Sequence, residues 1–270
     1  LTVIHQVGLT GTETVQAKLR FEREAAAAGV QVRAYCTDNG IYTSKEFANE
    51  LASKGQGIKH SGVGGHHHNG VAENAIKNSV RTARTMMIYA ALRWPEHNER
   101  DLWPLALSHA VHLHNEVPSQ DSRLTPHEVW ARSKSSFSAL VNAHPWGCPV
   151  YVLDPMLQDG KKIPKWKPRA RRGFYIGVSK QHSTTVGRVL NLNTGFISDQ
   201  YHCVYDDLFS SVPCPIGNPF DPETFSQPNW AKIFESGYER HVPIDYDHRG
   251  CPIPLPPLGD EWLSGPERLL

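Results

Sequence analysis

From Val71 to Arg93 the chain runs without a proline or a glycine, entered through Asn69-Gly70 and left at Trp94-Pro95. Helix formers bounded by breakers predict a single helix here, about 35 Å long. A helix of that length needs other elements to cover its apolar residues. With 270 residues, of which 39% are hydrophobic, the chain can bury one sizeable domain and a smaller companion.

The segments around this helix alternate in type. LTVIHQV (1–7) alternates apolar and polar residues as a strand does, and TGTETVQAKLRFEREAAAAG (10–29) is a helical stretch stopped by Gly29. VQVRAYCTDNG (30–40) reads as a strand running into a turn, which makes strand, helix, strand, the start of an α/β unit. SKEFANELASKG (44–55) reads as a helix capped by Ser44, GIKHS (57–61) as a short strand and GVGGHHHNG (62–70) as a loop. A second amphipathic helix is expected at about 101–115, with Leu102, Leu105, Ala106, His109 and Leu113 on one face. TPHEVWARSK (125–134) starts another, with Thr125 as N-cap and Pro126 in its first turn. Beyond residue 148 the pattern turns to short alternating runs split by Gly, Asn and Asp, as in a small antiparallel barrel.

Charge and cysteine content narrow the function classes. Residues 213–270 hold four Lys or Arg against nine Asp or Glu, leaving 24 against 18 in the first 212. A basic body with an acidic, proline-rich tail fits a polyanion-binding unit followed by a linker. The five cysteines are widely spaced and include no CxxC pair, so neither a disulfide framework nor a zinc finger is expected. No apolar run is long enough to span a membrane and no secretory leader pattern is present, so the chain reads as soluble and intracellular.

Two carboxylates stand where α/β sheets gather functional groups. Asp38 ends the second predicted strand and Glu73 lies in the first turn of the long helix. Strand ends and helix starts at one sheet edge can bring distant acids together to hold divalent metal through oxygen. Taken alone, Asp38-Asn39-Gly40 also fits a plain turn and Glu73 a plain helix N-terminus.

TDNGIYTSKEF, HHNGVAENAIKN, LWPLALSHAVHLHNEVPS and LTPHEVW, in this order, resemble the integrase core of copia-type retrotransposon polyproteins over about residues 1–134. GCPVYVLD, RRGFYIGVS, VLNLNTGFIS and YHCVYDD resemble the SH3-like domain that follows that core, over residues 145–212, with 213–270 left as an acidic Pro-rich tail. The resemblance implies an α/β fold: a partial ribonuclease H-like core, then a small antiparallel SH3-like barrel. It also implies polynucleotidyl transfer by an Asp, Asp, Glu triad with Mg²⁺ or Mn²⁺, in which water attacks the element's DNA ends and the freed 3′ hydroxyl attacks target DNA. By motif, Asp38 is the second triad Asp and Glu73 the Glu, with 34 residues between them, one fewer than the family's usual interval. Residues 1–37 contain no aspartate, and LTVIHQV resembles the third strand of the family's sheet, so the first triad member is expected to be absent and catalysis impaired.

Basic residues supply the other candidates. Glu73, Lys77, Arg81 and Arg84 are spaced for one helix face, either to grip phosphate or as a solvated face with Glu73 paired to Lys77. His66, His67 and His68 are adjacent and cannot easily converge on one ion; within the resemblance His67, His68, Asn69 and Asn39 are expected to contact DNA. KKIPKWKPRARR (161–172) places Lys165, Lys167, Arg169 and Arg171 about Trp166, suited to phosphate contact and stacking or serving as an ordinary exposed loop. The expected partners are transposon ends and target DNA, or RNA, with no membrane; a homo-oligomer is compatible, and a working element would place it in the nucleus. The competing expectations are a non-catalytic nucleic-acid-binding module and a transposon relic.

Overall fold

In the computed structural model, residues 1–62, 69–94, 97–98, 100–134 and 138–212 are described. Helix α1 spans Gly11–Ala27 and starts at Thr10, whose hydroxyl accepts the Glu13 backbone N–H at 3.3 Å. Strand β1 (Ala34–Thr37) and strand β2 (Gly57–His60) pair in parallel, from Ala34 opposite Gly57 to Thr37 opposite His60. Parallel strands require a crossover, and α2 (Lys45–Ser53), capped by Ser44 as its sequence predicts, supplies it. Phe47 and Leu51 of α2 are buried.

A charged network ties these elements together. Lys18 of α1 is only 5% exposed, and its ammonium meets Glu22 at 3.0 Å and Glu50 of α2 at 3.4 Å. Glu22 also accepts hydrogen bonds from Lys54 (2.8 Å), Tyr35 (2.7 Å) and Gln56 (2.7 Å). A buried ammonium without such partners would be strongly destabilising, so the network is a condition of packing α1 on β1 and α2.

Residues 1–7 form no strand, contrary to their alternating pattern. A strand exists only where a neighbouring backbone completes its ladder, and among the described residues the sheet of β1 holds β2 alone. Side chains of α4 (Trp103–Glu116) hold the segment instead: Asn115 bonds the Leu1 ammonium and carbonyl, each at 2.7 Å, and Ser108 meets His5 at 2.7 Å.

Helix α3 (Gly70–Arg93) is buried only in its second half, at Ala83, Met87, Ala90, Ala91 and Leu92. It packs against α4, which buries Ala106, His109, Ala110 and Val111. Helix α5 (Pro126–Ala131) begins with a reciprocal cap, Glu128 N–H to Thr125 hydroxyl and Thr125 N–H to Glu128 carboxylate; α6 (Ser138–Val141) follows.

The second sheet comprises β3 (Pro149–Leu153), β4 (Ala170–Val178), β5 (Gly187–Asn191), β6 (Ile197–Gln200) and β7 (Cys203–Tyr205), with short helix α7 (Pro155–Gln158) after β3. It is antiparallel throughout, in the order β6-β5-β4-β3-β7. Val150, Val152, Phe174, Ile176 and Val189 of this sheet share one hydrophobic cluster with Met87, Ala90, Trp94, Ala106 and Ala110. The antiparallel sheet is therefore docked directly on α3 and α4.

Two glycines permit this contact. Gly147 has φ +83°, and a Cβ there would lie 2.6 Å from the Ala90 Cβ and 2.8 Å from the Phe174 ring. Gly177 (φ +125°) sits at an irregularity in the β4–β5 register, where a Cβ would come within 3.0 Å of the His109 ring. His109 is buried, and burial first, then the neighbouring His112, pushes its pKa down to about 4, so it is neutral at pH 7.

Gly147→Ala is expected to lower unfolding stability by about 2 kcal/mol, through overpacking and the positive φ together, read as a drop in the urea midpoint. Acid should act through Glu22: burial raises its pKa, but hydrogen bonds from Lys54, Gln56, Tyr35 and Lys18 outweigh burial and hold it at about 2 instead of 4.5. The folded-state pKa is depressed, so this stabilisation is present above pH 4.5 and is lost as pH falls from 4.5 toward 2. Thermal melts across that window should show a shallower acid limb for Glu22→Gln. The flattening should be partial, because Asp206, raised by burial but held at about 2 by Ser211 and Ser210, titrates in the same range.

Candidate nucleic-acid and metal site

The end of β1 is fixed by polar contacts. Thr37 is buried with its hydroxyl 3.0 Å from His60 Nδ1, and the Asn39 amide donates to the Ser61 carbonyl at 2.8 Å. Asn39, expected to contact DNA, is thus also the side chain that fastens β1 to the residue after β2. Between these anchors Asp38 is exposed, with one oxygen accepting the Gly40 N–H at 3.4 Å. The backbone bends at Asn39 and Gly40, and this arrangement leaves most of the Asp38 carboxylate's accepting capacity open.

Helix α3 starts at Asn69, whose side chain makes no capping bond, and Glu73 lies exposed in its first turn. A carboxylate here is favoured by the partial positive charge of the helix N-terminus. Asp38 lines a cavity of about 560 Å³ that Asn69, Ala72 and Ile76 of α3 also line. Glu73 follows Ala72 in the first turn of α3 and is not itself among the residues that line the cavity. The strand end bearing Asp38 and the first turn of α3 therefore meet at one cavity, which Asp38 lines and Glu73 does not.

The opposite wall of this cavity was not anticipated as part of a site. Thr2, Ile4 and Gln6 line it, every second residue of the segment expected to be a strand, and Tyr35, Cys36 and Thr37 line it from β1. The period-two pattern was the available signal: it fixes which side chains share a face even where no ladder forms.

A divalent metal held by a triad needs a third oxygen donor. Asp38 and Glu73 are hard carboxylate ligands of the right chemistry, but among the described residues no group of three or more His, Cys, Asp or Glu is placed to hold an ion. Among the described residues the donor set for Mg²⁺ or Mn²⁺ is incomplete.

Lys77, Arg81 and Arg84 are exposed, and among the described residues none forms an ion pair; in particular Glu73 and Lys77 do not pair. The stripe is available to an external anion. The basic run of 161–172 divides instead. Lys165 and Arg169 are exposed without an acidic partner among the described residues, while Lys167 lies 3.8 Å from Asp154. Arg171 is half-buried in β4 with its Nε buried and unbonded, and Arg172 lies over the Trp94 ring at 5.1 Å. His67 and His68 lie outside the described residues.

Among protein-family models no match to the chain is found. Over 151 residues the chain is 32% identical to the retrovirus-related Pol polyprotein from transposon TNT 1-94 of Nicotiana tabacum. The match takes in 53% of this chain and 10% of the polyprotein, so the chain spans a small part of that relative's length. A chain of the cryo-electron microscopy structure of the simian T-cell lymphotropic virus intasome in complex with PP2A regulatory subunit B56 gamma aligns over 79% of this chain and 68% of its own length. Identity there is 16% and the TM-score 0.37, a likeness too loose to carry any argument. The sequence match relates about half of this chain to a retroelement polyprotein. Among the described residues no helix is long and apolar enough to cross a membrane.

Because Asp38 and Glu73 are exposed and make few or no side-chain contacts, Asp38→Asn and Glu73→Gln should each change stability by no more than about 0.5 kcal/mol. Thermal melting of both variants checks this; a large loss would make these carboxylates parts of the scaffold.

Proposed function

We propose that this chain is part of a retrotransposon integrase and that its own residues act in binding nucleic acid, presenting two carboxylates of an acidic centre that needs a third. The reading takes the similarity to the Pol polyprotein as its starting point. The observation that carries it is the meeting of Asp38 and the first turn of α3 at one cavity. In this reading residues 1–134 are a partial ribonuclease H-like core, 145–212 an SH3-like unit and 213–270 a linking tail. DNA, and RNA by the same phosphate chemistry, is the partner, with homo-oligomers and a nuclear location belonging to the working element.

The roles follow from charge and placement. Lys77, Arg81 and Arg84 take phosphates along the exposed face of α3, and Asn69 lines the cavity where the helix begins. Asp38 and Glu73 would supply two of the oxygen ligands that Mg²⁺ or Mn²⁺ needs, ions whose chemistry when bound is polarisation of phosphate oxygens. Residues 1–37 contain no aspartate, so a third carboxylate of this kind is not among them, and the role proposed for these residues is to bind and position nucleic acid.

The test is a salt series of DNA-binding measurements. Wild type should bind labelled duplex at low salt, and replacing Lys77, Arg81 and Arg84 by Gln should reduce the slope of log K against log salt by about 2 to 3. Absence of any DNA binding at low salt would overturn the reading. Strand-transfer assays in Mn²⁺ should give the same background for wild type and Asp38→Asn; product sensitive to Asp38 would show that the chain is catalytically competent.

A further inference from the structure

Residues 159–169 join α7 to β4 and carry a tryptophan in an unusual setting. The Lys167 N–H donates to the Pro164 carbonyl at 3.0 Å, closing a turn with Lys165 and Trp166 as its two central residues. The base of that turn is anchored. Asp154 accepts the Met156 N–H at 2.9 Å, donates its own N–H to the Arg169 carbonyl at 2.8 Å, and lies 3.8 Å from the Lys167 ammonium. A fixed turn therefore holds out an indole that is 91% exposed, whereas Trp94 and Trp146 are almost wholly buried.

Exposing a whole indole to water forfeits the burial that large aromatics ordinarily supply, so this position is poorly explained by folding. Its surroundings point to an anionic, aromatic ligand. The Lys165 ammonium stands 5.6 Å from the ring centroid, and Lys162 and Arg169 are exposed without acidic partners among the described residues. The flanking residues are prolines and cations, with no apolar patch of the kind that inserts in a lipid surface.

We propose that this turn is a site for unpaired nucleotides, with a base stacked on Trp166 and the adjoining phosphates held by Lys162, Lys165 and Arg169. A base inside a duplex is stacked on both faces, so a projecting indole has nothing to cover there; an overhang or single strand offers a free face. The proposal rests on the nucleic-acid reading above and adds to it a preference for strand ends and single-stranded segments, at a place separate from the α3 stripe.

The test uses the full chain and fluorescence anisotropy with three probes: a blunt duplex, the same duplex with a short single-stranded overhang, and vesicles of phosphatidylserine and phosphatidylcholine. The overhang should bind about tenfold more tightly than the blunt end, the scale of one base stacked on an aromatic. Trp166→Ala should abolish that preference while changing blunt-duplex affinity by less than about twofold, and Trp166→Phe should retain most of it. The side chain is almost fully exposed, so both variants should fold. Equal binding of the two DNA probes by wild type, or equal loss of both in Trp166→Ala, would overturn this inference and leave the α3 reading intact. Vesicle binding that depends on Trp166 would reassign the turn to membranes, and failure to bind any DNA would overturn both proposals.

Discussion

The contact on which the structure turns is the one where the second half of α3 meets the antiparallel sheet. Gly147 lies so close to Ala90 and Phe174 that one additional methyl group at residue 147 would collide with both. Trp94 is sealed against Phe174, with Arg172 over its outer face. Close packing of this kind immobilises one end of a long helix and lets the other project. Asn69, Glu73, Lys77 and Arg81 all sit on the projecting end. The cavity and the basic stripe are thus positioned by a core some distance from them.

Charge is used in two ways. In the network of Lys18, Glu22, Glu50 and Lys54 every charge is matched within the fold, and hydrogen bonds from Tyr35 and Gln56 complete it. On the exposed face of α3, Lys77, Arg81 and Arg84 form no ion pair among the described residues. The first arrangement holds elements together and the second leaves a field that an outside anion can satisfy.

Much of the architecture could be read from the residues because it is local. Caps at Ser44 and Thr125 sit where the sequence places them, and the long helix begins at Gly70 and ends at Arg93, within a residue of its breakers. Residues 1–7 resisted the same reading because a strand is a property of two backbones, and alternation describes only one. The meeting of Asp38 with the start of α3 was legible from strand end and helix start, the places where an α/β unit turns over. What the basic run of 161–172 does was not legible: seven cations in sequence look alike, yet the pairing of β4 with β3 absorbs Arg171 and Arg172, and Asp154 takes Lys167.

The cavity wall has a further property in its chemistry. Cys36 sits within β1, exposed and facing the same space as Ile4 and Ile76, while Cys148 is buried with its thiol pushed well up by burial. A mild alkylating reagent would find the first sulfur far more readily than the second. Cys36 is one of the residues lining that space, which makes its labelling rate a built-in gauge of whether the cavity is open or filled.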